Sequence, residues 1–214
     1  VTDSHTLANL KAINQGTTGT ITLDDYSIAL SGTASDVSTA LSGTFASTYT
    51  GNVTLTDAHT VTQLKTINDA TTGTITLANY AVTLSGTAAV VSAALDGTFA
   101  STYTGAVTIS NAHTLSNLKA INNATTGTIT LNDYSVALTG STSDVKAAID
   151  GTFAAAYTGN VTLSDANNVT VQATDLNQIA GDTDGTVTVS NAVSISGTAA
   201  AVSTACGNVT ASTA

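Results

Sequence analysis

The residues able to do chemistry recur at fixed intervals. His5, His59 and His113 stand 54 residues apart, each followed by Thr. Stacked in register they would form a column, which suits metal binding or pH sensing. Two layers separate successive members, so their rings lie roughly 10 Å apart by strand spacing. Zinc needs ligand nitrogens ~2 Å away, so the column cannot share an ion without outside ligands. The expectation is a surface residue flanking a helix N-terminus, with Asn167 in its place in the fourth copy.

The carboxylates exchange freely between copies. Asp3, Asp57 and Asp165 are weak calcium candidates, yet the third copy carries Asn111 there. Asp24-Asp25 becomes Ala78-Asn79 and Asn132-Asp133, and Asp36 becomes Val90. A calcium or catalytic constellation does not survive such exchange, and no EF-hand or calcium nonapeptide is present. Charge near a helix N-terminus is the structural reading. There is no G-x-S-x-G, phosphate loop, CxxC or Cys paired with His. Neither an enzyme nor a cofactor beyond weakly held calcium is expected. Cys206 is the single cysteine and cannot form an internal disulfide. In VSTAC it aligns with Leu41, Leu95 and Ile149, so a small buried hydrophobe is expected, with an intermolecular crosslink as the alternative.

Threonine makes the one surface pattern with a physical message. Thr20 and Thr22, Thr74 and Thr76, Thr128 and Thr130, and Thr186 and Thr188 are Thr-x-Thr pairs on strand-like runs. Asn52 with Thr54 and Asn160 with Thr162 supply intervening rows. Side chains two apart on a strand sit ~6.6 Å apart, and rows repeat at the inter-strand spacing. The resulting grid of methyls and hydroxyls is similar to the threonine ranks of ice-binding β-solenoids. It makes an ice or surface-glycan contact a second reading.

What positions these residues is a repeat. His113 to Gly140 reappears from His59 and from His5, and in degraded form near Asn167 to Gly197. The copies divide the chain into 1–54, 55–108, 109–162 and a degenerate or capping 163–214, expected as one continuous array. In the second copy Val61, Leu64 and Ile67 mark a short helix, with Thr60 as N-cap and Gln63 at the capping-box position. Thr74 to Leu77 alternates as a strand, and Tyr80, Val82 and Leu84 resume the alternation with shifted parity. A bend or bulge at Ala78-Asn79 explains the shift; a two-residue hairpin competes. Thr33 to Asp36 and Ser141 to Asp144 read as capping boxes of a second helix, with Gly43, Gly97 and Gly151 at its C′ position. All nine aromatics fall on three repeated positions: Phe45, Tyr49 and Tyr26 with their copies. Such locking to the period favours core packing over ligand stacking. Two β–α units of about 27 residues per repeat, all strands running one way, predict a right-handed α/β solenoid of stacked parallel strands and short helices.

Composition narrows the partners. Charged residues make up 8% of the chain and the net charge is −10. Lys11, Lys65, Lys119 and Lys146 are the whole basic inventory, too sparse to neutralise phosphates or an anionic membrane. No apolar run approaches the ~20 residues of a membrane span. The chain has no Met and opens midway through a copy, as expected for a piece of something longer or a processed product.

The run Asp57 to Leu77 (DAHTVTQLKTINDATTGTITL), followed by GTAAVVSAALDGT from Gly86, resembles tandem repeats of very large secreted or cell-surface bacterial proteins, cyanobacterial and marine types in particular. The resemblance implies an extracellular adhesive or structural role with no catalytic residues. It also brings calcium nonapeptides in many members, which this chain lacks. The expected function is therefore a non-enzymatic spacer, adhesin stalk or fibre or lattice subunit. It would associate with itself or with neighbouring repeats.

Overall fold

The structure is a computed structural model and describes residues 1–211. The chain forms two compact units, Val1–Val107 and Thr108–Ala214. Both are mixed α/β, with short parallel strands and helices in alternation. In the first unit the helices are α1 (Leu7–Gly16), α2 (Ala34–Leu41), α3 (Val61–Ala70) and α4 (Ala88–Leu95). Its strands are β1 (Leu30–Gly32), β2 (Val53–Leu55), β3 (Ile75–Thr76) and β4 (Leu84–Gly86). At the division lies β5 (Val107–Ile109). The second unit holds α5 (Leu115–Ala124), α6 (Thr142–Ile149), α7 (Ala173–Asp182) and α8 (Ala199–Asn208). Its strands are β6 (Ile129–Thr130), β7 (Leu138–Gly140), β8 (Val161–Leu163), β9 (Thr170–Gln172), β10 (Val187–Val189), β11 (Ser194–Ser196) and β12 (Val209–Ala211).

Local chemistry sets the helix starts. Thr60 accepts the Gln63 N–H while the Gln63 side chain returns to the Thr60 N–H, closing the expected box. At Thr33 and Ser141 only half of the box forms. Each hydroxyl accepts from the third residue's N–H, but the Asp side chain pairs with a lysine of the preceding helix instead of returning to the cap's backbone. The glycines after α2, α4 and α6 stand where expected, for a different reason. Their backbone is not left-handed. A Cβ at Gly43, Gly97 or Gly151 would overlap the Oδ1 of Asn14, Asn68 or Asn122. Those asparagines reach across from the preceding helix and donate Nδ2–H to Thr39, Ala93 and Ala147 carbonyls at 2.5, 2.7 and 2.9 Å.

Every strand pairing with a given register is parallel, so the hairpin alternative falls away. The dipeptide forms an Asx turn: Asp25 Oδ1 accepts the Ser27 N–H at 2.7 Å, and Asn79 and Asp133 repeat the bond two residues on at 2.8 Å. The bend splits one extended run into two separate rungs. Ile21 bridges Phe45 while Leu30 pairs Val53, and Ile129 bridges Phe153 while Leu138 pairs Val161. As a result the TITL runs do not stack on one another. Ile75 lies between Val53 and Phe99, and its strand shrinks to Ile75–Thr76. The ladder Leu30, Val53, Ile75, Phe99 advances by 23, 22 and 24 residues, and Leu138, Val161, Val187, Val209 by 23, 26 and 22. These steps are shorter than the expected 27 because the bend residues run along a layer instead of between layers.

Behind the ladders the helices pack in sequence, α1 on α2, α2 on α3 and α3 on α4, then α5 on α6, α6 on α7 and α7 on α8. Leu30, Val53, Ile75, Leu64 and Ile67 are at most 2% exposed. Tyr49, Tyr103 and Tyr157 are the largest fully buried side chains. The core assignment of the other aromatics holds only in part, since the three Phe and Tyr26, Tyr80 and Tyr134 are half-buried. Cys206 corrects the expectation of a buried thiol. It is exposed on α8, where no aromatic connector follows, while Ala205 before it stays buried as Ala40, Ala94 and Ala148 do. No helix among the described residues is long and apolar enough to cross a membrane.

Gly97→Ala should lower unfolding stability by about 1–3 kcal/mol through overpacking. Adding Asn68→Ala should restore part of that loss. Urea unfolding of the two variants and of Asn68→Ala alone checks the coupling.

Candidate functional site

The most developed polar arrangement is one the sequence placed on the surface. His5, His59 and His113 are each only 4% exposed. Each sits just before the N-cap of α1, α3 or α5, facing a tyrosine 44 residues later. Nε2 lies 3.2, 3.2 and 3.1 Å from the hydroxyls of Tyr49, Tyr103 and Tyr157. Those hydroxyls donate to the carbonyls of Ile28, Val82 and Val136 at 2.5, 2.6 and 2.5 Å. A hydroxyl has one proton, so from histidine it only accepts, and Nε2 must carry the hydrogen. Nδ1 is then a bare acceptor, buried with no partner among the described residues.

This geometry keeps the rings neutral. Burial lowers all three histidine pKa values, opposed by the charges of Asp25, Asp57 and Asp133 respectively. Burial also pushes the Tyr49 hydroxyl up to about 12 and those of Tyr103 and Tyr157 further in the same direction. The arrangement ties three layers together and offers no proton to an outside molecule. Two clues in the sequence foreshadow it: the histidine and tyrosine recur with one period, and a glycine follows each tyrosine two residues on. A Cβ at Gly51, Gly105 or Gly159 would meet the same carbonyl that the hydroxyl reaches.

The calcium candidates are not brought together. Asp57 Oδ1 accepts the Ala34 N–H at 2.7 Å, and Asp165 accepts the Thr142 N–H at 3.1 Å and its hydroxyl at 2.5 Å. They do serve helix N-termini, but those of α2 and α6, one layer back in the stack. Asp3 is exposed, and no group of three or more His, Cys, Asp or Glu among the described residues is placed to hold a metal ion. Lysines obey the same interlayer logic. Lys11 pairs with Asp36 and Lys119 with Asp144, both at 2.5 Å. In the second copy Val90 replaces the aspartate and Lys65 turns to Asp69 on its own helix.

The threonine pairs face outward but not as one grid. Thr20, Thr22, Thr76, Thr128 and Thr186 are exposed, while Thr74, Thr130 and Thr188 are partly covered. Register places Thr76 beside Thr54 and Ser31 in the first unit. In the second, Thr139, Thr162, Thr188 and Thr210 form one unbroken row across four strands. The TIT runs fall beside the intervening VTL rows as expected, Thr76 on Thr54 and Thr188 on Thr162, but on the other side of those rows the bend brings Ser31 and Thr139 where Thr22 and Thr130 are expected.

No family model, curated protein or solved structure matches the chain.

Stability should fall as the histidines are forced to protonate. Their folded pKa values lie below the ordinary 6.5, so the unfolded chain takes up protons first. The bond is intact above pH 6.5 and its stabilisation is lost as pH falls from there through the folded values. The carboxylates Asp25, Asp36, Asp133 and Asp144 are depressed by their hydrogen bonds and act only in the acid range below. Denaturant midpoints at pH 7.5 and 5 should differ in the native chain. They should nearly coincide when all three histidines are changed to Gln.

Proposed function

We propose that the chain is a non-enzymatic structural repeat segment of an extracellular or cell-surface protein. It would act as a stiff spacer, adhesin stalk or fibre or lattice subunit. The observation carrying this reading is where the polar groups go. Asp57, Asn68 and their copies each bond an adjacent layer, and the His59–Tyr103 pair and its copies span two. Such a distribution favours load-bearing between layers over convergence on a ligand.

The parallel ladders, the rung steps of 22 to 26 residues and the sequential helix packing all support a right-handed α/β solenoid in each unit. The low charge and threonine-rich strand faces suit an extracellular setting, and the resemblance to bacterial surface repeats points the same way. Small-angle X-ray scattering tests the spacer. A genetically fused head-to-tail duplicate should have about twice the maximum dimension of the single chain. A duplicate that collapses to a compact particle would end this reading.

A second reading has its own observation: the register row Thr139, Thr162, Thr188 and Thr210. Methyls and hydroxyls repeating at ~4.8 Å make a regular surface for ice or a glycan. Thermal hysteresis and glycan-array binding should drop in Thr162→Lys/Thr188→Lys. Equal behaviour of the two proteins removes this reading.

A further inference from the structure

We propose that Asn168 is the acceptor of an N-linked sugar, and that the fold selects it from five asparagines in the same kind of tripeptide. This goes beyond the spacer reading and does not depend on it.

Asn-x-Thr occurs at Asn52, Asn123, Asn160, Asn168 and Asn208, and all but Asn123 stand in the identical run Asn-Val-Thr. A chain rich in Asn and Thr produces this tripeptide by composition, so its presence decides nothing. Attachment requires an amide nitrogen and a threonine hydroxyl that a transferase can both reach, on a surface segment. Any difference among the four identical runs must therefore come from the structure.

Four of the five are engaged. Asn52 Oδ1 accepts the Thr74 N–H at 2.9 Å, and Asn160 Oδ1 accepts the Thr186 N–H at 3.0 Å and its hydroxyl at 3.1 Å. Both lead directly into central strands, β2 and β8, where Val53 and Val161 are at most 1% exposed. Asn123 lies in α5, and its Thr125 is buried. Asn208 ends α8, gives its Nδ2–H to Asn177 Oδ1 at 3.4 Å and leads into β12, which pairs with β10.

Asn168 is different on every count. Ala166 to Val169 form a β-turn closed by the Val169 N–H on the Ala166 carbonyl at 3.2 Å. Asn168 takes φ +64° at its third position, the left-handed region that asparagine tolerates better than most residues. Asn168, Val169 and Thr170 are all exposed. Among the described residues no hydrogen bond engages the Asn168 amide or the Thr170 hydroxyl. The backbone is nonetheless held: the Asn168 N–H donates to the Ala192 carbonyl at 2.8 Å, and the Ser194 N–H to the Val169 carbonyl at 2.9 Å. The tripeptide is thus displayed on a fixed turn.

An insertion built that turn. Asp57 stands three residues before the N-cap Thr60, whereas Asp165 stands seven before the N-cap Gln172. The added residues make the turn and β9, which pairs only with β11 among the described residues. They leave an open strand edge with Val169, 41% exposed, beside it. Open edges invite pairing with other chains, and a bulky, hydrated group next to one blocks it.

The step is a substitution at carbon. Asn168 Nδ2 bonds C1 of a sugar carried as a phosphate ester, and the C1–O bond to the phosphate breaks. The amide gives up one proton, the phosphate leaves with the bonding pair, and nothing is oxidised or reduced. A nucleotide-linked and a lipid-linked donor supply the same chemistry.

The test exposes the folded whole chain to both: a soluble N-glycosyltransferase with UDP-glucose, and an oligosaccharyltransferase with a lipid-pyrophosphate-linked oligosaccharide. Peptide mass spectrometry maps the products, and the reactive donor identifies the source. With at least one donor, Asn168 should be modified at least about ten-fold faster than Asn52, Asn160 and Asn208, whose tripeptides must first open locally. Free peptides carrying the four Asn-Val-Thr runs should react at similar rates. Thr170→Val should abolish modification and Thr170→Ser retain it, with circular dichroism unchanged in both. Asn168 bare with both donors, or modified no faster than Asn52 and Asn160, overturns the proposal. Free peptides that reproduce the ranking of the folded sites also overturn it, since the fold then selects nothing.

Discussion

A parallel strand of two or three residues has almost no stability alone, and everything here follows from that constraint. Each rung leaves its N–H and carbonyl groups open on both sides, and only the neighbouring rung satisfies them. The interlayer bonds of His59, Asp57, Asn68 and Lys11 are side-chain versions of the same dependence. The aliphatic column of Leu30, Val53 and Ile75 supplies the burial that makes stacking favourable. The polar bonds fix which layer sits on which.

Much of this was legible. The period gave the copies, helical spacing of Val61, Leu64 and Ile67 located α3, and Thr60 with Gln63 marked its start. Parallel strands followed from the constant order of strand and helix. What stayed hidden depended on contacts more than twenty residues away. His59 resembles a surface residue in its own segment, and only Tyr103, 44 positions on, makes it internal. Gly97 reads as a helix terminator until Asn68 is seen occupying the space of its missing side chain.

The candidate site followed the same division. Exchange of aspartate for asparagine or alanine between copies spoke against a calcium constellation at Asp57 and Asp165, but could not say what they do. Their partners, Ala34 and Thr142, are backbone amides without identity in the sequence. The threonine rows met expectation on one side of each VTL strand and not on the other, because Asp25 and its counterparts turn the chain within one extended run, a local hydrogen bond with a long-range effect on register.

That turn has one more effect. A single layer in the second unit carries Ile129 in one ladder and Leu138 in another, and the next layer answers with Phe153 and Val161. Adjacent layers are therefore laced along two seams that begin and end at different heights, like overlapping courses in brickwork. A break along one seam meets the intact body of the other before it can run the length of the unit.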